Sequence, residues 1–166
     1  NWLKAVPDMV LRTHRQLYRQ FAQVLINPAG DLKAAEAILG HLGQAEHDND
    51  FLGEIATLEA SIASSRREYQ RTVELSRKAL ALLAPENLRA RSVAAYTLGQ
   101  IIWSKGLFEE AEPILTEAFN SARQSGYLQI AGNAINFLAN IKWHRGQMRQ
   151  AVEMLEQAIR LAEITP

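Results

Sequence analysis

The chain has 166 residues, of which 48 % are apolar, with 18 Lys plus Arg set against 18 Asp plus Glu. That composition excludes a disordered chain, and a formal charge of zero gives no basic surface for direct nucleic-acid binding. The lack of cysteine rules out disulfides and thiolate metal sites and fits a cytoplasmic protein, while no apolar run approaches the roughly 20 residues that span a bilayer.

Asn1 to Val6 reads as the tail of a helix begun upstream, so the sequence is expected to be a segment of a longer protein. Pro7-Asp8 starts a long helix to about Ile26, with a kink expected near Thr13-His14. Asn27-Pro28-Ala29-Gly30-Asp31 is a turn. Leu32, Ala35, Ile38, Leu39 and Leu42 then recur at helical spacing up to about Glu46. His47 to Asp50 connects, with Asp50 as the expected cap. The next pair runs from Phe51 to about Ser64 and from Tyr69 to about Leu83, closed by Ala84-Pro85-Glu86-Asn87. A third pair spans Leu88–Lys105 and Phe108–Gln124, and a fourth spans Tyr127–Arg145 and Met148 to about Glu163. No segment reads as a strand.

The third and fourth pairs are copies at a spacing of forty residues: Leu98 returns as Leu138, Trp103 as Trp143, Gly106 as Gly146, Ala111 as Ala151, Leu115 as Leu155 and Ala118 as Ala158. Fixed-period self-similarity predicts stacked helical repeats. Small residues open each second helix at Ala35, Thr72, Ala111 and Ala151, and two turns later come Leu42, Ala79, Ala118 and Ala158 on the same face. The expected architecture is an all-α, right-handed superhelical array of four antiparallel pairs in a single domain, with repeats at about 8–47, 50–84, 88–125 and 127–163. Gly30, Gly106 and Gly146 suit turns that need positive φ, whereas Arg67 at the matching place predicts a different turn. Pro113 predicts a small kink.

The unit Leu98-Gly99, Gly106-x-Phe108-x-x-Ala111, Leu115, Ala118 resembles a tetratricopeptide repeat. Trp2-Leu3-x-x-Val6-Pro7-x-x-Val10-Leu11-Arg12, Leu52-Gly53-Glu54-x-Ala56-x-Leu58-x-Ala60 and Ala79-Leu-Ala-Leu-Leu83 resemble the repeat region of MalT-like large regulators of the LuxR family. Arg15 stands where that family often carries proline. The resemblance implies a sensor region set between a nucleotide-binding ATPase module and a DNA-binding helix-turn-helix.

No phosphate-cradling glycine motif is present. His41 and His47 lie about 240° apart around a helix and cannot clamp a metal from one face, and with His14 and His144 they read as solvated helix or connector side chains. Glu109, Glu110 and Glu112 sit where a helix dipole favours them. The expectation is therefore a non-enzymatic chain with no cofactor and no metal.

One constellation stands apart. Asn133, Asn136, Asn140, Trp143 and His144 form one stripe of a helix whose core side is Ile135, Leu138 and Ala139, with Lys142 snorkelling at the edge. Asparagine costs roughly 0.5 kcal/mol against alanine inside a helix, so three on one stripe call for an offsetting gain. The matching stripes are Val93, Tyr96, Gln100 and Trp103 in repeat three, and Glu54, Thr57, Ser61 and Ser64 in repeat two. In tetratricopeptide arrays this stripe faces the concave groove. A neutral groove of amides, hydroxyls and aromatic faces suits a small polar effector, or a peptide or protein partner. The competing reading makes these asparagines caps or cross-links and packs Trp103 and Trp143 between repeats. Two functions remain open: a sensor relaying effector binding to flanking domains of the same chain, or a constitutive protein-interaction scaffold, with self-association possible. No membrane contact is expected in either.

Overall fold

The computed structural model describes residues 19–20, 22–23, 25–26, 31–45 and 48–163. The expected upstream helix, the kink at Thr13-His14, Arg15, the Gly30 turn, and His14 and His47 lie outside the described residues. Helices α1 (Leu32–Ala45), α2 (Asn49–Ser65), α3 (Tyr69–Leu82), α4 (Leu88–Ser104), α5 (Phe108–Gln124), α6 (Leu128–His144) and α7 (Met148–Glu163) follow one another, and the described residues contain no strand. The chain is all-α, built of tetratricopeptide-like pairs. Residues 1–84 and 85–166 form two compact units.

In the first unit the core is a continuous apolar cluster of Ala22, Ala35, Ile38, Leu39, Leu42, Phe51, Ile55, Leu58 and Ile62. Gly53 lets α2 approach the end of α3, because a Cβ there would meet the Leu83 backbone nitrogen at 2.9 Å. The cap of α2 differs from expectation. Asp48 accepts from the Asp50 amide and caps the helix, while the Asp50 carboxylate accepts from the Ala84 amide at 2.8 Å. Asp50 therefore ties the start of α2 to the end of α3, using a carboxylate to satisfy a backbone donor beyond a helix end.

The second unit packs α4 on α5, α5 on α6 and α6 on α7. Ala111, Leu115 and Ala118 are fully buried, as are Ala94, Ala95, Ala131 and Ala134. Small residues bring the helices close. At Gly99 a Cβ would sit 2.7 Å from Leu115 Cγ, so α4 and α5 meet where only hydrogen fits. Pro113 lies inside α5, exposed, and removes the amide that would reach the Glu109 carbonyl, yet the helix runs unbroken to Gln124.

Gly106, Gly126 and Gly146 have φ of 75°, 70° and 73°, and each turn carries the same two bonds, as in Gly106 N–H to Trp103 O and Leu107 N–H to Ile102 O. This is the Schellman closure of a helix. The expectation of a different turn at Arg67 is wrong. Arg67 adopts φ 61°, its N–H bonds Ser64 O, and Glu68 N–H bonds Ala63 O. The hydrogen-bond pattern is the repeat's own, imposed on a side chain that pays for the left-handed conformation.

Candidate functional site

Helices α4 and α6 lie beside one another in the second unit, and their facing stripes line an open pocket of about 250 Å³ formed by Tyr96, Trp103, Asn133, Asn136, Phe137 and Asn140. Helical periodicity supplies the set. Tyr96 and Trp103 are two turns apart on α4, and Asn133, Asn136 and Asn140 occupy one face of α6. Phe137 is the wedge between them. Its ring lies 6.0 Å from Tyr96 and 4.8 Å from Trp103, edge-on to the indole at 70°. Such edge contacts add about 0.5–1.5 kcal/mol beyond the area they bury and fix the two aromatic walls.

Burial pushes the Tyr96 phenol above its ordinary pKa, so it stays a neutral donor and acceptor. Trp103 Nε1 and Asn140 Oδ1 are both buried, and neither finds a hydrogen-bond partner among the described residues. Leaving a buried polar atom unpaired costs about 1–3 kcal/mol. One is a donor and the other an acceptor. Both belong to side chains that line the pocket. Its volume lies below the roughly 300–1,000 Å³ typical of drug-sized sites.

Of the expected groove residues, the pocket unites Tyr96, Trp103, Asn133, Asn136 and Asn140. Gln100 is half-buried on α4, outside the lining. Trp143 is 57 % exposed and lines an adjacent groove with Asn136, Asn140, Met148 and Leu155. His144 stacks on Phe108 at 4.9 Å and 23°, outside the pocket. Lys142 does not snorkel freely, because its ammonium bonds Glu112 at 2.6 Å.

Glu54 and Thr57 belong to the first unit. The Glu54 carboxylate pairs with Arg19 at 2.9 Å, which neutralises it. Thr57 corrects the expectation of an open groove position: it is buried, and its hydroxyl donates to the Gly53 carbonyl at 2.9 Å. Ser61 likewise turns back onto Thr57 O. Short hydroxyl side chains satisfy themselves on their own helix. Phe137 was missed because it falls one residue off the asparagine stripe. The signal was there, since Phe137 sits four residues after Asn133 and three before Asn140, both helical-neighbour spacings.

Charge nearby is paired: Glu112 holds Lys142 and Arg145, and Arg91 bonds Glu117. Arg89 lies 4.0 Å over the Tyr127 ring. Among the described residues no group of three or more His, Asp or Glu could hold a metal ion. No helix among them is long and apolar enough to cross a membrane.

Residues 53–166 match the family model of the MalT-like TPR region, where TPR denotes the tetratricopeptide repeat. The chain belongs to this family. A curated relative, the HTH-type transcriptional regulator MalT of Vibrio campbellii (strain ATCC BAA-1116), is 28 % identical over 118 residues. That match covers 71 % of this chain and 13 % of the relative, so the chain corresponds to a small part of the relative's length. The MalT-like match takes in all of α3 to α7 and the whole pocket.

Proposed function

We propose that this MalT-like TPR chain is the effector-sensing and interaction module of a transcription regulator, and that a small neutral polar ligand binds between α4 and α6. The observation that carries the reading is the unpaired Trp103 Nε1 and Asn140 Oδ1 in a pocket walled by aromatic rings. A polar ligand that gives either atom a partner once the side chains move to admit it recovers part of the cost of leaving it unpaired, and apolar ring faces cover its remainder. Binding there acts on two helices at once and so favours one spacing of α4 and α6. A ligand shifts a conformational equilibrium only by its differential affinity for the two states. The relay to flanking ATPase and DNA-binding modules uses that difference.

The test is a thermal-shift screen of neutral sugars, amino acids and end-blocked peptides. A ligand at a hundred times its Kd adds about 2.7 kcal/mol of stability. In a domain of this size that raises the midpoint by roughly 5–10 °C. Asn136→Ala and Asn140→Ala should abolish the shift while far-UV circular dichroism stays unchanged. A shift that persists in both variants places the ligand elsewhere, and a screen in which no member of the panel raises the midpoint rejects the small-ligand reading in favour of a protein-interaction scaffold.

A further inference from the structure

Helices α4 and α6 each leave one buried polar atom without a partner beside the gap between them. Trp103 Nε1 of α4 only donates, and Asn140 Oδ1 of α6 only accepts. The two side chains line the same pocket, yet no hydrogen bond joins them. Phe137 stands beside both. It lies one helical turn before Asn140 on α6, and its ring meets the Trp103 indole at 4.8 Å and 70°. The same ring reaches Tyr96 at 6.0 Å, so it fills space between the α4 aromatics and α6. Forty residues earlier the register holds Thr97, buried and with a much smaller side chain. The bulk of the ring is thus particular to this repeat. Asn133 and Asn136 share the pocket but are exposed to water, which leaves Asn140 as its buried acceptor.

We infer that Phe137 is a wedge holding α4 and α6 in one of two seatings, and that with the ring withdrawn Trp103 Nε1–H donates to Asn140 Oδ1 and latches the helices together. Donor and acceptor are complementary, both are already out of water, and they reach one pocket from different helices. Pairing them satisfies both atoms at once and desolvates neither further. Against that gain stand the contacts of Phe137 with Tyr96 and Trp103, which the latched seating gives up. These contributions are of comparable size, the condition for two populated arrangements. Phe137 is only half-buried and borders an open pocket, so its ring can leave without unpacking the core. The device rests on the α4–α6 contact itself and needs no ligand. It supplies what a sensing role requires, two discrete arrangements that a molecule in the pocket would bind unequally.

The test is the Trp103 indole N–H, followed by NMR in the ligand-free protein and assigned by its loss in Trp103→Phe. Phe137→Leu shortens the wedge, and Phe137→Thr copies the residue of the preceding repeat. Far-UV circular dichroism checks that both variants keep their helices. In each, the indole proton should move downfield and exchange with deuterium roughly 2–10-fold more slowly than in wild type, the worth of one hydrogen bond. Adding Asn140→Leu to Phe137→Leu should cancel both changes. Faster exchange in the wedge variants overturns the inference and makes the Phe137 ring the cover of the indole N–H. An indole proton unchanged in both variants overturns it as well. Slowing that survives Asn140→Leu overturns the pairing, because another acceptor then holds the indole. A ligand screen without a hit rejects the small-ligand reading and leaves this result untouched.

Discussion

Helices α5 and α7 are the same element written twice, and they meet different surroundings. Leu115 and Leu155, forty residues apart, occupy one register, but Leu115 is fully buried against Gly99 while Leu155 is 42 % exposed. Ala111 and Ala151 are both buried, though Ala139 stands on α6 where Gly99 stands on α4. On the outer side the two differ more, because α6 covers α5. In a stacked repeat the contribution of a residue is set by its neighbour in the array more than by its own identity. The largest expected effect follows directly. Leu115→Ala should cost about 2–5 kcal/mol, the range for emptying a filled core site. Leu155→Ala in the 166-residue chain should cost under about 1 kcal/mol, because much of its surface is already in water. Denaturant unfolding of the two variants reads the contrast, and equal losses would break it.

The turns allow a second comparison between equivalent positions. Gly106, Gly126 and Gly146 hold positive φ without steric cost, whereas Arg67 holds φ 61° with a side chain. The left-handed conformation costs a non-glycine residue roughly 1–2 kcal/mol. Arg67→Gly should therefore stabilise the first unit by about 1 kcal/mol, somewhat reduced by the greater entropy of glycine in the unfolded chain. The Arg67 contribution is read as a rise in the urea midpoint with an unchanged m-value. A fall in the midpoint would mean that the guanidinium earns more than its backbone costs.

The stripes of repeats two and four differ in the same instructive way. Thr57 and Ser61 spend their hydroxyls on carbonyls one turn back, while the Asn140 carbonyl oxygen stays buried without a partner among the described residues. Repeat two has closed its polar stripe, and repeat four has left one open. Asn140→Leu should then keep or raise stability, by up to about 1 kcal/mol, since it removes an unpaired buried acceptor. The same change should eliminate any thermal shift from a ligand in the α4–α6 pocket. A loss of stability beyond about 1 kcal/mol would show that Asn140 is structurally satisfied.

The helix limits and the spacing of the small residues were legible because both are periodic, and periodicity is a local property of sequence. Ala35, Thr72 and Ala111, picked out by spacing alone, are all buried. The asparagine stripe is periodic too, and three of its residues, Asn133, Asn136 and Asn140, share a pocket with Tyr96 and Trp103. What escaped were features decided by another helix. Thr57 and Tyr96 hold equivalent positions, yet one is sealed and the other walls an open pocket, and nothing local to either records the difference. Phe137 owes its place to the gap between Tyr96 and Trp103. Arg67 was misread because a favourable hydrogen-bonding pattern outweighed a side-chain preference. Lys142 was read as a lone edge cation because its partner, Glu112, lies thirty residues back on α5.

That partner supplies the smallest and most specific prediction. Glu112 faces Lys142 of α6 and Arg145 just beyond its end, and Val152 replaces it on α7, so the covered face carries an ionic latch and the exposed one does not. The Lys142 hydrogen bond is the main cause that holds the Glu112 carboxyl below its ordinary value of 4.5. Partial burial opposes it, and Arg145 adds to the lowering. A carboxylate whose folded pKa is depressed stabilises the fold above its unfolded pKa and loses that contribution as pH falls through the folded value. Glu112→Gln should then cost about 0.5–1 kcal/mol at pH 7, the scale of a partly exposed pair. The deficit should shrink below pH 4.5 and vanish in stronger acid, where the wild-type carboxyl is itself protonated. Glu59, raised by burial, bends the wild-type curve in the opposite sense, so the informative quantity is the wild-type minus variant difference, in which Glu59 cancels. A difference that stays constant from pH 7 into acid would mean that shape and not charge joins α5 to α6, and the distinction between the faces of α5 and α7 would then rest on Leu115 and Phe119 alone.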